Sequence, residues 1–382
     1  MKRTHQWCLV AGFLAVIYIV PVTQSIIEIA DGRAPQFLDI FTRVPTRPNL
    51  RAYEKEMEDS AAFARASRPW IQYAWFKAFG DAGEKVLVGR DGWLFYRPDV
   101  RYLVEQPAGP EANNLQDPLD AILDFQRQLQ VRGINLLVVP MPVKPSLYGG
   151  KLTRRLDDAS PMQSPTLSLM ERLNSAGVET FDLFDQFRSS SARAGQPYYL
   201  ARDTHWLADA AEMAAEAVGS KIVAEGWVER GTVDYGLRPI IVNRRSDIAR
   251  MTRVPLIEAS FPAEEVETRQ VFDKATGSTY KDDPESPVLV LGDSFLRIYQ
   301  TDEPTAAGFI AHLARYLRRP VASLVNDGGA STLVRQELAR RPQLLQGKKV
   351  VIWEFVERDI RFGMEGWKPT PLPPERYAGA LP

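Results

Sequence analysis

Between residues 117 and 356 the chain alternates apolar runs with amphipathic segments, which predicts an α/β fold, a doubly wound parallel sheet with helices on both faces. Three observations carry this. INLLVVP (134–140) is a continuous apolar run of the kind that forms a strand covered on both faces, and VLVLGD (288–293) and KVVIWEFV (349–356) read as further strands. Caps open the intervening segments and glycines close them. The 382 residues are 45% hydrophobic and 25% charged, the composition of a globular chain rather than of a disordered or collagen-like one.

In chain order, Asn49 opens a helix over LRAYEKEMEDSAAFARAS and a second, aromatic helix follows over Trp70–Phe79. VLVGRDGWLFY predicts two short strands around the Gly89–Gly92 turn. Asp117-Pro118 caps a helix that Gly133 ends, ahead of the strand 134–140. Ser164-Pro165 starts another helix, closed by Gly177, and VETFDLF (178–184) is expected as a strand. An Ala-rich helix runs from about Leu207 to Glu225. Residues 226–287 break the rhythm with a charged, β-leaning stretch, expected as an insertion or lid on the sheet's edge. The alternation resumes with strand 288–293, helices from Ser294 and Ala306, strand 321–326, helix TLVRQELARR and strand 349–356.

The N-terminus differs. Lys2 and Arg3 precede an apolar stretch from Trp7 to Val22, extended more weakly to Ile29, and the next positive residue is Arg33. That charge order places the N-terminus in the cytoplasm and the remainder outside. The length lies between a signal-peptide core and a membrane span of about 20 residues. An uncleaved signal anchor over 1–30 is expected, then a Pro-rich stem (31–48), a body (49–362) and a tail (363–382).

With 47 basic and 48 acidic side chains the formal charge is −1, so no global positive field draws nucleic acid. One cysteine excludes an internal disulfide framework and Cys-cluster metal sites, and three histidines argue against a multi-His centre, so neither metal nor cofactor is expected. In VLVLGDSF a buried strand ends in Gly292-Asp293-Ser294 and the chain turns helical. Ligands of open parallel sheets bind beyond the carboxyl ends of the strands, so Ser294 is either a nucleophile or a helix cap. In YYLARDTHW the i and i+2 side chains of Asp203 and His205 share one side, so the carboxylate can fix the imidazole tautomer and leave the other nitrogen as a base. The alternatives are a structural His–carboxylate pair or half of a metal site. His312 falls mid-helix and His5 precedes the anchor, leaving His205 as the available general base.

GDSF after a strand, with an Asp/His pair, resembles the SGNH hydrolase superfamily. More narrowly, RDTHW upstream of LGDSF, with GRDGWLFY (89–96), VVPMPVKPSLYG (138–149) and VVIWEFVERDI (350–360), is similar to the alginate O-acetyltransferase proteins of the AlgJ/AlgX type, and the anchor to their membrane-tethered AlgJ branch. The resemblance spans roughly residues 85–362. It implies an SGNH-like α/β/α domain in the periplasm, held at the inner membrane. There Asp203, His205 and Ser294 would transfer acetyl to the hydroxyls of an exopolysaccharide, with a membrane-bound O-acyltransferase as partner in supplying it. The Ser294 amide and the loop at Asn326 and Gly328 are candidate oxyanion donors, although that loop reads equally as an ordinary turn. Arg297 is a candidate contact for an anionic sugar or a surface arginine, and Lys144 a candidate site wall. Trp93, Tyr198, Tyr199, Trp206 and Trp353 suit either sugar stacking or a core, and none is singled out. Acetyl hydrolysis, or a non-catalytic scaffold role in an export complex, are the competing expectations.

Overall fold

The computed structural model describes residues 2–105, 116–157, 161–189, 197–327 and 329–374. They form two compact units, Met1–Ala82 with Val254–Ala259, and Gly83–Arg253 with Ser260–Pro382.

The first unit holds α1 (Lys2–Ala30), a 3-10 turn (Gln36–Phe41), α2 (Arg47–Ser60) and α3 (Ala62–Phe79). Leu9–Ala30, 22 residues, is long and apolar enough to cross a membrane. The expected break before Trp70 falls instead at Ala61, whose ψ of 110° leaves the helical region, while α3 runs through Pro69. The first compact unit runs to Ala82, and α2 and α3 bury no side chain.

The second unit is the expected parallel sheet. A small hairpin, β1 (Val86–Val88) with β2 (Leu94–Tyr96), is followed directly by a helix over Arg97–Val104; helix α4 (Pro118–Gln130) comes next among the described residues, capped by the Asp117 carboxylate on the Leu119 N–H. The remaining elements that build the sheet are β3 (Asn135–Met141), α5 (Thr166–Ser175), β4 (Glu179–Thr180), α6 (Ala208–Ala224), the pair β5 (Tyr235–Arg244) and β6 (Glu264–Asp273), β7 (Val288–Gly292), α7 (Ser294–Arg297), α8 (Phe309–Leu317), β8 (Ala322–Val325), α9 (Leu333–Arg340) and β9 (Val350–Val356). The sheet order is β4-β3-β9-β7-β8, every pair parallel, with Leu137 beside Ile352 and Leu289 beside Val351. Successive side chains point to opposite faces. Val350, Ile352 and Val356 therefore join the core under α6 and α8, while Val351, Trp353 and Phe355 join the core with α4, α5 and α9. This explains why the strand runs are apolar at nearly every position, with Glu354 of β9 the buried exception.

Three expectations are corrected. The strand at 178–184 shrinks to two residues because the Asp182 carboxylate accepts the Asp185 N–H and starts a helix, Leu183–Ser189. The helix from Ala306 begins at Phe309, since Thr305 and Ala306 sit at φ of 67° and 49°. Residues 226–287, expected as an insertion or lid, hold β5 and β6, which form their own ten-residue antiparallel ladder, and β6 packs on α6 and α8. Part of the tail is core. Trp367 is buried against Trp353 and Phe355, and its ring N–H donates to the Asp359 carbonyl.

Candidate active site

The carboxyl ends of β3, β9 and β7 lie in a row, and the turn after β7 presents Ser294. Gly292 is required there, because a Cβ would lie 2.3 Å from Glu354 Oε2 and 2.4 Å from Leu296 Cδ1. Asp293 is extended and caps the following turn by accepting the Phe295 N–H (2.9 Å). Its second oxygen accepts the Val356 N–H (3.1 Å), which ties the end of β7 to that of β9. Ser294 opens α7, a single turn of four residues, too short for a substantial macrodipole. What the turn offers is its own N–H, which has no acceptor among the described residues.

The loop 198–206 brings the imidazole of His205. Tyr199 and Trp206 bridge antiparallel and are both fully buried, fixing the loop from below. His205 Nδ1 lies 2.6 Å from Asp203 Oδ1, and its Nε2 lies 2.9 Å from Ser294 Oγ. The Asp203 oxygen also accepts the His205 backbone N–H (3.1 Å), and the Phe295 ring stands 5.0 Å from the imidazole. The three residues expected from the sequence are thus in hydrogen-bonding contact across 89 positions of chain. Burial disfavours the imidazolium, but the Asp203 hydrogen bond and charge, with Asp247, outweigh it and raise His205 above its ordinary value. Burial likewise opposes the Asp203 carboxylate, and the His205 contact with the Arg244 charge holds it well below the usual range.

The unanticipated residues come from the β5–β6 segment, which clamps this loop. Asp247 accepts the Thr204 N–H (2.9 Å) and hydroxyl (2.5 Å), and its Oδ2 lies 3.7 Å from His205 Nδ1. Ser246 donates to the Arg202 carbonyl, and Glu264 accepts the N–H groups of Ala201 (3.0 Å) and Arg202 (2.8 Å). Burial and the Asp203 charge raise the Asp247 carboxyl. The only sequence trace of this clamp is the Ser246-Asp247 helix cap, which reads as ordinary turn chemistry. Asp203, His205 and Asp247 place three potential metal ligands within 4.8 Å, yet each carboxylate oxygen already faces an N–H or O–H donor.

A cavity of about 740 Å³ opens over Ser294 and His205. Arg297 lines it, but its guanidinium is already paired with Asp302 and Asp327. Arg245 and Arg250 also line it, both exposed, and neither has an ion-pair partner among the described residues. Asn326 does not serve as expected: its N–H goes to the Gly292 carbonyl (2.9 Å) and its amide to Glu337 (3.1 Å). Gly328 lies outside the described residues. Lys144 is buried rather than on the wall, and its ammonium donates to the carbonyls of Leu200 (3.0 Å), Ala201 (3.0 Å) and Asp203 (2.7 Å). Trp93, Tyr198, Tyr199, Trp206 and Trp353 are all core residues; the aromatic rings on the cavity are Tyr96 and Phe362.

Residues 86–357, well over half of the chain, match the model of the SGNH hydrolase-like domain of the acetyltransferase AlgX. The chain belongs to this SGNH-like acetyltransferase family. Relatives of this family member include the probable alginate O-acetylase AlgJ of Pseudomonas aeruginosa, 29% identical over 147 residues, covering 38% of this chain and 35% of that protein. The Pseudomonas fluorescens AlgJ is 24% identical over 292 residues, 74% of this chain and 70% of that one. Among solved structures, the O-acetyltransferase domain of Pseudomonas putida AlgJ superposes with a TM-score of 0.60 at 22% identity, covering 73% of this chain and 93% of that domain, which supports the SGNH-like fold.

Proposed function

We propose that this chain is a polysaccharide O-acetyltransferase that works through an acetyl-serine on Ser294. The observation that carries the reading is the unbroken relay from Asp203 through His205 to Ser294, aimed into the cavity. Ser294 Oγ attacks the carbonyl carbon of an acetyl donor while its proton passes to His205 Nε2. The tetrahedral oxyanion is met by the Ser294 N–H, and collapse expels the donor's leaving group, which takes the proton back from Nε2. A sugar hydroxyl then gives its proton to Nε2 and attacks the acetyl carbon; Ser294 recovers the proton as the new ester leaves. Asp203 holds the imidazole in the tautomer with Nδ1 protonated and stabilises each imidazolium.

The acceptor in this reading is an anionic, alginate-like polymer, in keeping with the names of the AlgJ relatives. Arg245 and Arg250, not the neutralised Arg297, are the cations left to meet its carboxylates. The apolar stretch Trp7–Val22 of α1 anchors the chain in the inner membrane with the Ser294 site on the periplasmic side, where a membrane-bound O-acyltransferase supplies the acetyl group.

Purified protein given a chromogenic acetyl ester and uronate oligosaccharides tests this. Mass spectrometry should find acetylated oligosaccharide, formed faster than with neutral glucan oligomers, and Arg245→Ala with Arg250→Ala should remove that preference. Ester hydrolysis indifferent to every acceptor would make the protein an esterase instead.

A further inference from the structure

The first unit carries a feature that acetyl transfer does not use. On α3 the large apolar side chains Phe63, Trp70, Ile71, Trp75 and Phe79 are each more than half exposed. At 100° per residue they fall within one half of the helix circumference, with Ile71, Trp75 and Phe79 in a row four apart. Tyr73 and Phe76 turn the other way and are half-buried, and α3 packs there against α2 and the 255–258 turn. So extended an exposed aromatic stripe on a soluble surface marks an interaction site.

The covering phase follows from what α3 is attached to. The clean apolar stretch of α1 ends at Val22, and polar Gln24 and Glu28 follow within two turns. Sixteen such residues span about 24 Å, close to a hydrocarbon core of about 30 Å, so Gln24 falls at the level of the headgroups. The start of α3 is fastened at that level: the Ala62 N–H donates to Gln24 Oε1 (2.7 Å), and Gln24 Nε2 donates to the Ser60 carbonyl (3.2 Å). Glu28 accepts the Gln36 N–H (2.8 Å), which holds the exposed Phe37, Leu38, Ile40 and Phe41 beside the same end of α1. The 18 residues of α3 contain Arg65, Arg68 and Lys77 and no acid, although Arg68 also reaches Glu58 of α2. Tryptophan with a cationic, acid-free remainder is the composition of a helix lying in a membrane interface with anionic lipid.

We infer that α3 is an interfacial helix whose Phe63–Trp70–Ile71–Trp75–Phe79 face beds into the anionic headgroup layer of the membrane that α1 spans. This rests on α1 being inserted. The full chain is reconstituted in phosphatidylcholine–phosphatidylglycerol vesicles in a Cys8→Ser background, which removes its one cysteine. Single cysteines at Leu14→Cys, Ile71→Cys and Val131→Cys carry a nitroxide, and collision with oxygen is compared with that of a water-soluble nickel chelate. The label at 131 reports water. The labels at 14 and 71 should both favour oxygen, the one at 71 at a shallower depth, and Trp70→Glu with Trp75→Glu should shift only 71 to the aqueous value. A label at 71 that matches 131 while 14 remains in lipid overturns the inference and leaves the anchor intact; both in water overturns the two together. A label at 71 shielded from both reagents overturns it in favour of a protein neighbour, such as a second copy of this chain.

Discussion

Two clusters of a carboxylate with hydroxyls stand at the carboxyl edge of the sheet, and they differ in what completes them. After β9, Glu357 accepts from Ser146, Ser164, the Thr166 hydroxyl (2.7 Å) and the Val143 N–H (2.7 Å). Burial raises that carboxyl, the hydroxyl bonds oppose the shift, and among the described residues no imidazole stands between it and those hydroxyls. After β7, Ser294 has an imidazole between it and its carboxylate, and a cavity above it. The comparison teaches that a serine near a carboxylate is ordinary structural chemistry. A proton acceptor of suitable basicity, an idle N–H beside the hydroxyl and room for an acyl group make the difference.

The sharpest way to break this contrast is to truncate one serine in each cluster. Ser294→Ala should lower acetyl transfer by about 10³-fold or more, with His205→Ala adding little on top because the two act as a unit. Ser146→Ala should leave the rate per folded molecule unchanged and cost about 1–3 kcal/mol of stability, the penalty of a buried acceptor left short of a donor. Initial rates on the acetyl ester, with thermal melts alongside, check both. Persisting turnover in folded Ser294→Ala, or its loss in folded Ser146→Ala, would erase the distinction.

Lys144 belongs to neither cluster yet holds the loop of one of them. Its three bonds to the carbonyls of Leu200, Ala201 and Asp203 hold the backbone from which Asp203 and His205 project. Lys144→Met should shift that loop and reduce turnover by about 10²-fold, since displacements near 1 Å are enough to do so. Burial pulls the ammonium down to about 8, with the Asp247 and Asp203 charges opposing. Above that pH the neutral amine has two N–H groups for three carbonyls. The wild-type rate should therefore fall near pH 8, and Lys144→Met should lack that descending limb; an identical alkaline limb in the variant would detach Lys144 from the site.

What was legible follows the same division. The core strands could be read because burial on both faces writes an almost continuous apolar run, interrupted in β9 by Glu354, and the Ser294 turn because a strand end fixes where its side chain goes. Asp203 and His205 could be read because two residues of spacing suffices to join them. The clamp of Ser246, Asp247 and Glu264 is held by contacts 43 to 63 residues away, which no local pattern encodes. Asn326 and Lys144 were placed at the right edge of the sheet, but position on an edge does not say whether a polar group is already engaged. Trp367 reads as part of a tail because proline-rich flanks hide a single core residue.

Asp247 carries the smallest and most discriminating expectation. It bonds Thr204 rather than replacing Asp203, so Asp247→Asn should retain the loop and cost less than about 10-fold in rate, as for the loss of one charge-assisted hydrogen bond. Its charge is one of those that raise His205, and the base works only when neutral, so the wild-type rate should climb with pH through a midpoint above 6.5. Removing the charge lowers that midpoint, and the ascending limb of Asp247→Asn should move to lower pH while the plateau falls only modestly. Asp203→Asn should move the limb the same way and further, because the bond and charge of Asp203 are the larger raising influences. An Asp247→Asn profile superimposable on wild type would mean that Asp247 is protonated in the working enzyme, as its burial beside Asp203 favours, and that its part is to hold Thr204 alone.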